Sequence, residues 1–140
     1  MDIKKLLMGG IVGGILYFGL GYLIYGNLLM SFMQKHPGTV MGVDRAQADL
    51  QFLYLIIGNL AGGFLMAYIF VKANVGSAMS GLVTGGVIGL LMTVSFDCIV
   101  YATTHVISKT AMATDAVAAT AISAIVGAII ALVMNMGKRS

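Results

Sequence analysis

Residues 79–104 read MSGLVTGGVIGLLMTVSFDCIVYATT, and Asp97 is the only charged side chain in the stretch. Such a run suits a solvent without water, because an α-helix rising 1.5 Å per residue crosses ~30 Å of hydrocarbon in ~20 residues. Three other stretches, about 6–29, 52–71 and 114–135, have the same character. Their apolarity is continuous, which excludes the alternating pattern of barrel strands. The expectation is an all-α fold: an integral membrane bundle of four transmembrane helices in a single domain, 1–140, with antiparallel neighbours.

Composition agrees. Across 140 residues, 59% are hydrophobic and 9% charged, with mean hydropathy +0.99, against ~25% charged in soluble domains. A net charge of +3 and a pI near 9.1 do not make a nucleic-acid binder, because the cations stand singly or in pairs at the ends of apolar runs. The start, Met1-Asp2-Ile3-Lys4-Lys5, has the outline of a secretory signal, but its apolar run is too long and no small-x-small site follows Leu29. It reads as a retained first span. The single cysteine, Cys98, can form no intrachain disulfide and reads as a small buried hydrophobe.

Lys4, Lys5, Lys72, Lys138 and Arg139 fall on one side of the bundle, and Lys35, Arg45 and Lys109 on the other. Cations are retained in the cytoplasm, so both termini are expected there, in a bacterial inner membrane. The margin is small enough to leave insertion in both orientations open. Asp44-Arg45-Ala46-Gln47 has the form of a capping box, which extends the second helix outward to about residue 45. The short link from Lys72 to Ser80 makes spans two and three antiparallel neighbours. Gly9, Gly13 and Gly14 recur as Gly81, Gly85 and Gly86, which suggests two repeated hairpins.

Within lipid, helices associate by close backbone approach at small residues. Gly9, Gly13, Gly14, Gly58, Gly62, Gly85 and Gly89 are the expected packing positions. Glycines on two adjacent ridges of span one leave room for a subunit contact, so a homo-oligomer or a place in a larger membrane complex is expected besides the bilayer itself. Tyr25, Tyr54, Tyr101 and Tyr68 read as interfacial anchors.

An ionisable residue inside a span is a functional-site candidate. On a helical wheel Asp97 shares a stripe with Thr93 and Tyr101, and Asn59, Tyr22 and Thr120 fall at similar depth. These six form the candidate polar or ion site. His105, His36 and Asp115 lack metal-ligand spacing, and Asp115 reads as a helix-dipole residue at the start of span four. No nucleophile-base pair, phosphate loop or dinucleotide fingerprint is present, so no enzyme, metal or cofactor is expected.

The segment Tyr17-Phe18-Gly19-Leu20-Gly21-Tyr22-Leu23-Ile24-Tyr25-Gly26-Asn27, with the four-span layout, resembles a family of small bacterial four-helix inner-membrane proteins of unknown function. Asn59-Leu60-Ala61-Gly62 is similar to the pore asparagine segment of small fluoride channels. The chain lacks the arginine those channels carry after the first-helix glycines, and Val94-Ser95-Phe96-Asp97 replaces their Phe-Ser-Thr-Phe pattern. The functional expectation is a structural, accessory or partner-binding subunit, with a small ion channel or carrier built around Asp97 as the alternative.

Overall fold

A computed structural model describes residues 1–138. Helix α1 (Ile3–Leu23) runs into a π-helical turn, Ile24–Leu28, and is followed by the short α2 (Met30–Lys35) and a 3-10 turn, Gln47–Asp49. Then come α3 (Phe52–Lys72), α4 (Ala78–Thr103), α5 (Lys109–Asn135) and a last 3-10 turn, Met136–Lys138. The spans Ile3–Leu28, Phe52–Lys72, Ala78–Thr103 and Lys109–Asn135 are each long and apolar enough to cross a bilayer. Ile15, Leu91, Phe96 and Val117 project outward, as side chains facing acyl chains do. The chain is a multi-pass membrane bundle. Arg139, counted above among the cations, lies outside the described residues.

Local signals place the helix ends. Asp2 caps α1 by accepting from Lys5 N at 3.1 Å, and Ser77 and Ser108 cap α4 and α5 in the same way. Helix α3 closes in a Schellman motif, with Asn74 at φ 53 and bonds from Val75 N to Phe70 O and from Asn74 N to Val71 O. Val75 and Phe70 are both buried there, and Asn135 Nδ2 donates to Val75 O at 3.0 Å, fixing the link against α5.

Two expected boundaries move. Helix α3 starts at Phe52, not near residue 45, because Leu50 takes an extended backbone and its side chain lines the interhelical cleft. Helix α5 starts at Lys109, ahead of the expected residue 114, because Ser108 supplies the cap and also donates to His36 O at 2.7 Å. That bond, together with Thr39 N to His105 O at 2.9 Å, ties the two loops at this end into one layer.

Helix α1 packs on α3, α4 packs on α5, and the two hairpins meet mainly through α1 and α5. Helices α3 and α4 are antiparallel but hardly touch, so the expectation that spans two and three are packed neighbours is corrected. Their short link joins the outer members of the two hairpins.

Glycine decides both hairpins. A Cβ on Gly63 would strike the α1 backbone at Gly10, Gly13 and Gly14, and one on Gly81 would strike Gly127 of α5. The ridge Gly81-Gly85-Gly89 of α4 faces Ala131-Gly127-Ser123-Ala119 of α5, both at a spacing of four. Gly9 meets Met134 and Ala67 and Gly13 meets Ile130 on one ridge, and Gly10 meets Phe64 and Gly14 meets Leu60 on the next, so the first halves of both α1 ridges face partners within the chain, while a Cβ on Gly21 would meet nothing within 4 Å. Gly58 is a correction: nothing stands within 4 Å of a Cβ placed there. Gly62 meets only the Tyr17 ring, at 3.8 Å.

Candidate functional site

The half of the bundle nearer the termini is solid. Met66, Ala67, Phe70, Ile122, Val126, Ile130, Ala131 and Met134 form one buried cluster. The half nearer the loops is open: a cleft of about 750 Å³ lies among all four long helices, where α3 and α4 stand apart. Tyr17, Phe18, Tyr22 and Tyr25 of α1 line it with Leu55 and Asn59 of α3, Met92 and Thr93 of α4, and Ala119 and Ser123 of α5. Asp44 and Leu50 stand at its loop end. At its depth Tyr17 Oη donates to Ser123 Oγ at 3.1 Å, satisfying a serine that is 5% exposed.

Asp97 is buried at 5% exposure, and its partner is not the expected one. Its carboxyl lies within hydrogen-bonding reach of Asp115 across the α4–α5 seam. Tyr25 Oη donates to Asp115 Oδ1, joining α1 to the pair. Asp97 Oδ2 has no hydrogen-bond partner among the described residues. The local fold explains the meeting: Asp97 continues the four-residue rungs Gly81-Gly85-Gly89-Thr93, and Asp115 continues Ala131-Gly127-Ser123-Ala119. Asp97 lies six residues before the end of α4 and Asp115 six after the start of α5. Both are therefore ~9 Å inside the helix ends at 1.5 Å per residue.

The remaining members of the expected cluster are elsewhere. Asn59 Nδ2 donates to Leu55 O at 2.7 Å, and Thr120 Oγ1 to Ala116 O at 2.6 Å, so each is satisfied by its own helix. Tyr22 is 52% exposed and lies on the cleft wall without a bond to Asp97. Tyr101 faces Lys109, whose Nζ stands 5.9 Å from the ring centroid. Thr93 lines the cleft one turn from Asp97. Cys98 is exposed on the outer surface and not buried, because the α4 face beside Asp97 looks outward.

Two residues have different roles from those their positions suggested. Asp115 lies in the second turn of α5, since the helix begins at Lys109, and it is a partner of Asp97 instead of an N-terminal dipole residue. Tyr25 donates a hydrogen bond between helices and is half-buried, where an interfacial anchor was expected. It sits in the π-helical turn, stabilised by Leu29 N to Ile24 O at 2.7 Å and Asn27 Nδ2 to Tyr22 O at 3.1 Å. Such turns recur at functional positions. The spacing of small residues along 115–131 was the available signal for Asp115. The π turn had none.

These features define a class: a four-helix membrane protein with one solid half and one cleft-bearing half, and beside the cleft a carboxyl pair of which Asp97 is buried and Asp115 half-buried. No family model, curated protein or solved structure matches the chain.

Proposed function

We propose that the protein is a small membrane carrier whose substrate enters the loop-end cleft, and that it lies in a bacterial inner membrane with both termini in the cytoplasm. The single observation supporting a carrier is the combination of a cleft closed at one end with an interhelical acid pair, buried at Asp97, beside it. The cleft volume is in the range of about 300–1,000 Å³ used by small-molecule sites. The packed cluster from Met66 to Met134 blocks a continuous pore, which favours a carrier over a channel. The tightest glycine approaches, at Gly9, Gly10, Gly13, Gly14, Gly85 and Gly89, face partners inside the chain and so give an assembly scaffold no support. Clustering of Lys4, Lys5 and Lys72 at the end carrying the N-terminus supports the orientation, by retention of cations in the cytoplasm.

The test is sided thiol labelling of an Ala119→Cys variant in a Cys98→Ser background, in oriented vesicles, with a small membrane-impermeant thiosulfonate. The carrier reading expects labelling from the loop side and none from the side of the termini. Equal labelling from both sides, or unitary conductance in a planar bilayer, would replace the carrier with a channel.

A further inference from the structure

The charge distribution around the cleft restricts what can bind in it. Its lining contains no lysine, arginine or histidine, and its one formally charged member is Asp44. Tyr17, Tyr22 and Tyr25 supply aromatic faces, whose quadrupoles attract cations. Behind Tyr25 stand the two carboxyls, and no basic side chain among the described residues acts on Asp97. Two carboxyl groups can hydrogen-bond only through a proton carried by at least one of them, so the pair holds at most one negative charge. A charge held there has no basic counter-ion among the described residues, and Asp97 Oδ2, which has no hydrogen-bond partner among them, is buried away from water.

A buried, unpaired charge is costly unless something compensates it. Tyr25 connects the charge to the cleft: its ring belongs to the wall, and its hydroxyl is the donor to Asp115. A hydroxyl drawn toward a carboxylate makes its ring more electron-rich. With little water between, a positive ligand over that ring also feels the acid pair at low dielectric. Most of the lining is aliphatic or aromatic, so a small hydrated metal ion would lose its water shell without enough replacement ligands, whereas an ion with an apolar body would not.

We infer that the cleft takes hydrophobic organic cations, with the Asp97–Asp115 pair reading the charge through Tyr25 and Asp44 attracting it at the mouth. This rests on the carrier reading and names its substrate class.

The experiment uses two probes of nearly equal size and shape and opposite charge, tetraphenylphosphonium and tetraphenylborate. Binding to the purified full-length protein is measured by equilibrium dialysis, with protein-free micelles subtracted. Tetraphenylphosphonium is expected to bind saturably and more tightly than tetraphenylborate. The double variant Asp97→Asn, Asp115→Asn is expected to weaken tetraphenylphosphonium binding by about tenfold or more, and Tyr25→Phe, which keeps the ring, by a smaller factor. If the double variant fails to fold, Tyr25→Phe and Asp44→Asn carry the test, each expected to weaken the cation and not the anion. Tetraphenylphosphonium affinity unchanged in every folded variant would overturn the charge-reading role. Saturable tetraphenylborate binding of equal or greater strength, abolished by Gly62→Phe, would overturn the cationic class while leaving a cleft-binding carrier. Failure of both probes to bind above micelles would overturn the substrate class, and the thiol-labelling result would then decide the carrier reading separately.

Discussion

The two halves of the bundle are built from similar helices and packed differently. Toward the termini, glycine meets glycine or alanine, backbones approach closely, and Phe70, Met66, Ile130 and Val126 fill what remains to below 2% exposure. Toward the loops the same rungs continue, but the residues on them are Thr93 and Asp97 against Ala119 and Asp115, while α3 stands away from α4 and leaves the cleft. Small residues draw helices together, and side chains with polar heads hold them apart and need partners. One end can therefore be rigid while the other keeps room for a ligand.

The contrast can be broken most severely at the solid end. Gly127→Leu would place a side chain against the α4 backbone at Gly81 and Gly85, and the expected outcome is loss of the folded bundle, read as aggregation or low yield on size-exclusion in mild detergent. A well-folded Gly127→Leu variant would show that α4 and α5 are not held by this seam. Phe70→Ala should cost about 3–5 kcal/mol in reversible unfolding, because its ring is buried in the cluster and also closes the Schellman turn with Val75. The cleft half should respond more weakly. Tyr25→Phe removes the donor to Asp115 and is expected to cost about 1 kcal/mol of stability, in line with interhelical hydrogen bonds in membranes. A loss as large as that of Phe70→Ala would make the acid pair a principal structural element and erase the distinction between the halves. At the low end, Gly58→Ala should leave unfolding unchanged or raise stability by a few tenths of a kcal/mol, since its Cβ meets nothing and alanine favours helix. Destabilisation there would reveal a contact on the outer face of α3.

The sequence located the spans well but not the contacts between them. Each span could be read from its own apolar length, and Gly9, Gly13, Gly14, Gly85 and Gly89 stand at close approaches as expected. Gly58 does not, because glycine content marks where a helix is smooth without saying which smooth face meets a partner. Asp97 was legible as the one charged side chain in its span. Its partners were not: a depth estimate chose Asn59 and Thr120, and both are satisfied by carbonyls four residues earlier on their own helices. Asp115 was hidden because the start of α5 depends on a serine cap tied to a distant loop carbonyl.

By itself, the sequence determined the solvent, the number of crossings and the presence of one acid within the third, because these follow from transfer of consecutive side chains out of water and need no knowledge of neighbours. Only the tertiary structure decided that α3 and α4 stand apart, that a cleft opens between them, and that Asp97 faces Asp115 with Tyr25 beside it. Those relations depend on the azimuth of each helix about its axis, which is set when backbones find the positions where glycine permits close contact. A shift of one residue in the register of a packed helix turns its side chains by ~100°, and that separates a residue on the cleft wall from one in lipid.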